Sequence, residues 1–302
     1  MNTSAAPIVC IGGLNIDRKL KLFARSLHGS SNPCESHETP GGVVRNVAEN
    51  LARLGLPVAL VAALGDDAGG RMLLEQAASV GIDMRAVIRL RRHVSDSYTA
   101  VLAPDGSLEL GLAAMPLVES LNPWALEASK ALRASAALVV ADGNLPTDAW
   151  PLLLGEARAS GIPLVGVAVS EAKMERLPHD LHGLHILVLN AGELATVAAD
   201  PLEAFDALHA RGVGCVLVSK GGDGLLLSTP DRAPRHWPAP QVDVVDVTGA
   251  GDALSAGVCA SLLANPDDFD AAARLGLDLA ALTLQTEDSV HGDLTPDFLP
   301  TR

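Results

Sequence analysis

Short apolar runs alternate with segments of helical periodicity along most of the chain. The runs have the length of buried strands and cover residues 8–11, 58–64, 136–141, 162–169, 184–189 and 213–219. Between them, apolar residues recur at the three- and four-residue spacing of helices, as in 47–55, 71–80, 146–160 and 202–210. This alternation predicts an α/β protein with a doubly wound, mainly parallel sheet and helices on both faces.

Two other segments, about 18–40 and 95–115, lack a helical period and indicate strands outside that sheet. In the segment 95–115, residues 97–103 and 108–112 have strand character and flank the turn Pro104-Asp105-Gly106, which is typical of a hairpin. We therefore expect a single domain over residues 1–302, with a small β-sheet lid formed from about 18–40 and 95–115.

The last third of the chain contains a glycine-rich turn between a predicted strand, 242–245, and a predicted helix, 253–263. The turn reads Asp246-Val247-Thr248-Gly249-Ala250-Gly251-Asp252. Its glycines leave backbone N–H groups uncovered at a helix start, an arrangement that binds phosphate. Asp252 adds a carboxylate that could accept a proton, although a plain glycine-rich loop with a helix-capping aspartate would have the same pattern.

Composition and charge narrow the class of protein. The formal net charge of −14 argues against a nucleic-acid backbone or an anionic membrane surface as partner. The four cysteines are scattered without metal-ligand spacing, so reduced thiols are expected rather than disulfides or zinc. Residues 1–7 lack the basic and apolar segments of a signal peptide, and no apolar run approaches membrane-spanning length. These features predict a soluble cytoplasmic protein.

Polar residues follow the first predicted strand and begin the first long helix. Asn15 and Asp17 come after Gly12-Gly13, at the strand end where open α/β sheets bind ligands. Gly41-Gly42 forms a second backbone-exposing turn at a helix start, with Asn46 one turn inside. Asp17 could accept hydrogen bonds from two sugar hydroxyls, or it could simply be a turn aspartate. Gly41-Gly42 could likewise be an ordinary helix cap.

Two further loops have the same placement at strand ends. Asn190 and Glu193 could hold a hydrated magnesium or a nucleotide phosphate through water, or simply start a helix. Ser219, Gly221 and Gly224 could let a nucleotide approach the backbone, or form an ordinary hairpin. Because strand ends converge along one edge of a doubly wound sheet, these residues could line one two-ligand site. No Walker A, dinucleotide-binding or serine-hydrolase motif accompanies them.

In this order, the motifs resemble those of the ribokinase-like (PfkB) carbohydrate kinase family over nearly the whole chain. The motifs are Gly12-x-x-Asn15-x-Asp17, Gly41-Gly42-x-x-x-Asn46, Asn190-x-x-Glu193, Gly221-x-x-Gly224 and Asp246-x-Thr248-Gly249-Ala250-Gly251-Asp252. The resemblance implies an α/β body with a β-lid, MgATP as phosphoryl donor and a primary sugar hydroxyl as acceptor. Within the family, the stretch 39–52 and the preceding Ser31-Asn32-Pro33 are most similar to pseudouridine kinases.

The resemblance also implies roles for individual residues. Asp252 is the expected catalytic base, and the N–H groups of Gly249, Ala250 and Gly251 form the expected anion hole. The acceptor would be held by Asn15, Asp17, Gly41, Gly42 and Asn46. ATP would be bound by Asn190, Ser219, Gly221, Gly224, Gly249 and Gly251, with Glu193 acting on Mg²⁺ indirectly. Asp246 and Thr248 match positions that help ribokinases bind a monovalent cation, so K⁺ is a further candidate.

The predicted function is ATP-dependent phosphorylation of the 5′-hydroxyl of a nucleoside, with pseudouridine as the first candidate. Kinases for other ribosyl compounds or sugars, such as ribose, adenosine or a ketohexose, stay open as alternatives. So does a non-catalytic nucleoside-binding regulator, although the intact Asp252 speaks against it. The edges expected of a lid sheet predict a homodimer formed through the lid. Neither a nucleic acid nor a membrane is expected as a partner.

Overall fold

A computed structural model describes residues 5–299. Residues 1–4, which belong to the segment tested above for a signal peptide, lie outside the described part. The strands are β1 (Ile8–Ile11), β2 (Asn15–Leu22), β3 (Cys34–Gly41), β4 (Val58–Val61), β5 (Ala63–Gly65), β6 (Ile88–Leu90), β7 (Ser97–Leu102), β8 (Leu108–Ala114), β9 (Leu138–Asp142), β10 (Leu164–Val167), β11 (Leu184–Asn190), β12 (Cys215–Ser219), β13 (Leu225–Thr229) and β14 (Arg232–Trp237).

The helices follow the strands closely in sequence. They are α1 (Val43–Arg53), α2 (Ala68–Ser79), α3 (Pro123–Leu126), α4 (Lys130–Ala134), α5 (Ala149–Ser160), α6 (Ala191–Ala195), α7 (Pro201–Ala210), α8 (Ala250–Leu262) and α9 (Phe269–Thr283). Among residues 5–299, none of these helices combines the length and the apolar character needed to cross a membrane.

The body of the protein is an eight-stranded sheet in the order β14-β13-β12-β11-β10-β9-β1-β4. All neighbours from β4 to β12 run parallel, whereas β13 and β14 are antiparallel additions at one edge. Parallel neighbours need long crossover connections, which the helices supply. The predicted doubly wound, mainly parallel sheet is therefore confirmed.

Apolar cores lie on both faces of this sheet. Successive side chains of a strand point to opposite faces, so Ile8 belongs to one core and Val9 to the other. The first core is completed by apolar residues of α1, α2, α8 and α9, and the second by residues of α5 and α7, including the fully buried Trp150 and Phe205. Both faces are thus covered by helices, which is why the central strands are apolar throughout.

A separate four-stranded sheet has the order β3-β2-β7-β8. Its strands come from the two segments of the chain that lack helical periodicity. β2 begins four residues after β1 ends, so the two sheets are joined directly at Asn15. The outer strand β8 is exposed along its whole length, including Leu108, Leu110 and Leu112. We call this four-stranded sheet the lid.

The prediction of a strand over residues 242–245 is wrong. These residues have no strand partner; instead, the N–H of Val245 donates to the carbonyl oxygen of Leu284 at 2.7 Å, at the end of α9. Val244 and Val245 are each 57 % exposed. The edge position in the sheet is taken by β14, because the sharp turn after β13 lets that strand pair locally. Val242 and Val244 therefore line a cavity rather than entering the sheet.

Candidate active site

The carboxyl ends of the parallel strands gather polar residues at one edge of the body. β1 is followed by Gly12-Gly13, β9 ends at Asp142, β11 ends at Asn190 and β12 ends at Ser219. Asn190 and Ser219 are direct neighbours in the pairing of their strands. The N-termini of α1 and α8 reach the same edge, and a hydrogen bond joins them. This is the placement expected for a ligand site in an open α/β sheet.

Asp252 lies in the first turn of α8, where its Oδ2 accepts a hydrogen bond of 2.8 Å from Nδ2 of Asn46. Burial raises the pKa of Asp252 to about 7; the hydrogen bond from Asn46 and the charge of Arg45 oppose this, whereas Asp142 and Asp17 add to it. A carboxylate with a pKa near neutrality can take up a proton during a reaction. Its geometry and its pKa therefore suit a general base.

The turn before α8 requires glycine at position 249. Gly249 has φ of +82°, and a Cβ there would overlap the backbone of Ser289. A Cβ at Gly251 would meet nothing within 4 Å, so space is open in front of the helix start. The first N–H groups of a helix have no partner inside it and carry its positive dipole end. The turn formed by Gly249, Ala250 and Gly251 is therefore suited to an anion.

Asp17 stands on the lid side of this turn. Its Oδ1 accepts a hydrogen bond of 2.7 Å from Nδ2 of Asn15, and a Cβ at Gly41 would overlap its carboxylate. Burial raises the pKa of Asp17, although Asn15, Arg45 and Lys19 act in the opposite direction. The carboxylate thus lies against a glycine and is close enough to Asp252 for its charge to raise the pKa of that residue.

Gly42 lies where the start of α1 packs against the turn after β1. It precedes α1 with φ of +108°, and a Cβ there would overlap the carbonyl oxygen of Gly13. The turn after β1 and the start of α1 are consequently in close backbone contact. That contact brings Asn46, one turn into α1, to Asp252.

A cavity of about 350 Å³ lies on the other side of α8. Of the six residues predicted to bind ATP, Ser219, Gly221, Gly224 and Gly251 line it, whereas Asn190 and Gly249 do not. Its other walls are mainly apolar and come from residues 239–247, α8 and α9, including Val244, Leu254, Leu277 and Ala281. Since Gly251 belongs both to this cavity and to the anion turn, a ligand in the cavity can extend a phosphate chain toward Asp252.

Asn190 and Glu193 are brought together as the two halves of a capping box at the start of α6. Oδ1 of Asn190 accepts from the N–H of Glu193 at 2.9 Å, and Oε2 of Glu193 accepts from the N–H of Asn190 at 2.7 Å. Burial raises the pKa of Glu193, and the nearby Glu171 adds to this. Because one carboxylate oxygen is already used, the donor set fits a hydrated magnesium only through water. Within residues 5–299, no three histidine, cysteine or acidic side chains group into a metal site.

Asp246 is already paired with a cation from the lid. Its Oδ2 accepts from Nζ of Lys19 at 2.9 Å, and its Oδ1 accepts from the N–H and hydroxyl of Thr248 at 2.8 and 2.7 Å. Burial tends to raise the pKa of Asp246, but the bonds from Lys19 and Thr248 outweigh it and lower the pKa. The ammonium of Lys19 already neutralises this carboxylate, so a monovalent cation here would compete with Lys19.

Sequence reasoning assigned no role to two residues that the site contains. Asp142 is fully buried, and its Oδ2 accepts from the N–H of Gly13 at 3.0 Å and from Asn144 at 3.2 Å. Its position directly after an apolar strand is the signal that could have identified it. Arg45, whose side chain contacts Asn46, gave no such signal, because an arginine near a helix start is ordinarily exposed.

Comparisons with known proteins show which family the chain is similar to. The model of the pfkB family carbohydrate kinases matches residues 5–295. An uncharacterized sugar kinase of Escherichia coli, YeiI, is 33 % identical over 284 residues, which cover 91 % of this chain and 77 % of that protein. The pseudouridine kinase of Escherichia coli is 29 % identical over 296 residues, or 95 % and 93 % of the two chains. A carbohydrate kinase structure from Agrobacterium tumefaciens has a TM-score of 0.83 at 31 % identity, covering 97 % of this chain and 95 % of that one.

Proposed function

The chain belongs to the pfkB family of carbohydrate kinases and is an ATP-dependent phosphotransferase with an alcohol as acceptor, and we propose that its acceptor is the 5′-hydroxyl of pseudouridine. The observation that carries the proposal is the position of Asp252. Its carboxylate lies beside the anion turn of α8, between Asp17 on the lid side and the apolar cavity on the other side. A hydroxyl held by Asp17 and a γ-phosphate held by the turn would meet at this carboxylate.

The proposed step uses residues of this chain at each point. The acceptor oxygen forms a bond to the γ-phosphorus while the bond between that phosphorus and the β,γ-bridging oxygen breaks, which releases ADP. The hydroxyl proton passes to Oδ1 of Asp252, since Oδ2 is held by Asn46. The N–H groups of the anion turn stabilise the charge on the phosphoryl oxygens. Bound magnesium, held through water near Glu193, would neutralise further phosphate charge.

Two observations support a nucleoside acceptor and pseudouridine in particular. The similarity to the pseudouridine kinase of Escherichia coli extends over nearly the full length of both chains. Asp17 and Asn15 present a carboxylate and an amide together, a pair suited to vicinal ribose hydroxyls. The higher identity to a sugar kinase favours a free sugar as the second candidate acceptor.

A panel of acceptors tests the proposal. Purified protein, ATP and Mg²⁺ are incubated with pseudouridine, uridine, adenosine, guanosine, ribose or fructose, and ADP release is followed. We expect pseudouridine to give the highest kcat/KM and a 5′-monophosphate as product, identified by mass and phosphorus NMR. Preference for a free sugar would replace the proposal by its alternative. Calorimetric binding of pseudouridine without ADP release would indicate the non-catalytic regulator.

The lid supports a proposal about assembly. Leu108, Leu110 and Leu112 lie on β8 at alternate positions and are each more than half exposed. An exposed outer strand with Leu110 and Leu112 on one face is an edge that a second copy can cover. We propose a homodimer formed through the lid, and a cytoplasmic location, because the reaction consumes ATP. Light scattering should give a dimer mass for the wild type and a monomer for Leu110→Glu.

A further inference from the structure

Arg45 is a buried cation that contacts the partner of the base. It lies in the first turn of α1 and is only 6 % exposed. Nη1 donates to Oδ1 of Asn46 at 2.9 Å and to the carbonyl oxygen of Pro40 at 3.3 Å, while Nη2 pairs with Oε2 of Glu49. Glu49 is itself held by Arg53, whose Nε donates to Oε1 at 2.9 Å. The guanidinium is therefore fixed on both sides.

This contact decides the orientation of the Asn46 amide. A guanidinium only donates hydrogen bonds and an ionised carboxylate only accepts them. With Oδ1 of Asn46 on Arg45, the amide nitrogen must face Asp252, as it does at 2.8 Å. An amide turned by 180° would set two donors against each other and place its oxygen against the carboxylate. Both neighbours therefore select the same orientation.

We propose that Arg45 is a positioning residue for the base: by holding the Asn46 amide, it fixes Oδ2 of Asp252 and leaves Oδ1 for the acceptor hydroxyl. The inference rests on the proposed phosphoryl transfer, but it is independent of which hydroxyl compound is the acceptor. Arg45 does not line the cavity proposed for the nucleotide, and it would act on the base through Asn46.

Helix stabilisation alone does not account for the burial of this ion pair. Arg45 and Glu49 are four residues apart, and a pair at that spacing stabilises a helix equally well on the surface. A buried pair must also overcome the desolvation of both charges, which often cancels the attraction. Burial indeed lowers the pKa of Arg45, with Glu49, Asp17 and Asp252 acting against that effect. The contact with Asn46 supplies the reason for placing the pair inside.

Arg45 also balances the charge around the base. The groups facing Asp252 are Asn46 and Arg45 from α1, Asp17 from β2 and Asp142 from the end of β9. Arg45 is the single cation in this set, and it lowers the pKa of both Asp252 and Asp17 against their burial. Removing its charge should therefore raise the pKa of Asp252, so that turnover is lost at a higher pH as the medium becomes acidic.

The test compares three variants on this helix. Arg45→Gln/Glu49→Gln removes both members of the ion pair together, so neither is left as the unpaired half of that pair, and Arg45→Lys keeps the charge without the guanidinium fork. Arg53→Gln is the matched control, since Arg53 pairs with Glu49 but does not contact Asn46. The measurements are kcat, the KM for each substrate, the pH profile of kcat, and thermal unfolding. The side-chain amide of Asn46 is followed by ¹⁵N NMR during a pH titration of each protein without substrate.

We expect the double variant to lose about 10–100-fold in kcat, as misplacement of a reacting group by about 1 Å can cost, with little change in the KM for ATP. Its acid limb should move to higher pH, Arg45→Lys should recover part of kcat, and Arg53→Gln should stay within about twofold of the wild type. A folded double variant with unchanged kcat and pH profile would overturn the inference.

If the wild type phosphorylates no acceptor, the proposed function fails. The NMR titration still tests the inference in that case: an unmoved Asn46 amide transition would overturn it.

Discussion

The acceptor half and the donor half of the proposed site are lined by chemically different groups. The proposed acceptor half consists of two hydrogen-bonded pairs of a carboxylate and an amide, Asn15 with Asp17 and Asn46 with Asp252. The proposed donor half is a cavity of about 350 Å³ whose walls are mainly glycine backbone and aliphatic side chains. An acceptor hydroxyl must be oriented and deprotonated, which needs fixed polar atoms. A nucleotide base needs a flat apolar slot, and its phosphates need backbone N–H groups. Substitutions in the two halves should therefore have separable effects.

The largest effect is expected from Asp252→Asn. The asparagine keeps the shape of the side chain but cannot take up the proton, so kcat should fall by about 10²–10⁴-fold. Binding of ATP, measured by calorimetry, should change little, because the cavity and the anion turn are untouched. A variant that keeps more than a tenth of wild-type kcat would contradict the assignment of the base.

Asp17→Asn should impair binding of the acceptor and leave binding of ATP unchanged. A hydrogen bond to a charged group contributes about 1.5–3 kcal/mol, so the acceptor KM should rise by about 10–100-fold. The KM for ATP should stay within about twofold of the wild type. Equal increases for both substrates would show that the two halves are not independent.

Ala281→Val should impair binding of ATP, with a smaller effect than Asp17→Asn has on the acceptor. Ala281 is buried in the cavity wall, and added methyl groups would narrow the slot. Inserting methyl groups into a packed site costs about 1–3 kcal/mol, so we expect the KM for ATP to rise about tenfold. Ala233→Val, an exposed position on β14, is the control and should leave both KM values unchanged. A change in the acceptor KM of Ala281→Val would argue against an apolar slot for the nucleotide.

The smallest effect is expected where the lid meets the anion turn. Lys19 supplies a cation to Asp246, so wild-type kcat should be the same, within about twofold, in potassium-free and potassium buffers of equal ionic strength. Lys19→Met should lose roughly two- to fivefold in potassium-free buffer, the range of a partly exposed ion pair, and added K⁺ should restore part of it. Lys21→Met, at an exposed position on the same strand, is the control. Strong activation of the wild type by K⁺, or a rise in its unfolding temperature with K⁺ but not with a bulky organic cation, would show that the ion displaces Lys19.

Much of the fold could be predicted from apolar patterning. The central strands are buried on both faces, so they appear in the sequence as short, wholly apolar runs, and the helices between them keep a clear period. The strand prediction over 242–245 is wrong because its valines have the pattern of a buried strand, whereas Val242 and Val244 line a cavity and Val245 is exposed. Patterning cannot tell whether an apolar residue faces a core or a ligand site.

The sequence by itself determined the doubly wound body and the set of motifs at its strand ends, because local glycine turns and strand-end polar residues have local signatures. The tertiary structure decided which of these residues meet. Only folding brings Asn46 to Asp252 across 206 positions, sets Lys19 on Asp246 across 227, and encloses Arg45 beside the base. Such contacts depend on the packing of whole elements, and no pattern along the chain shows which residues will meet.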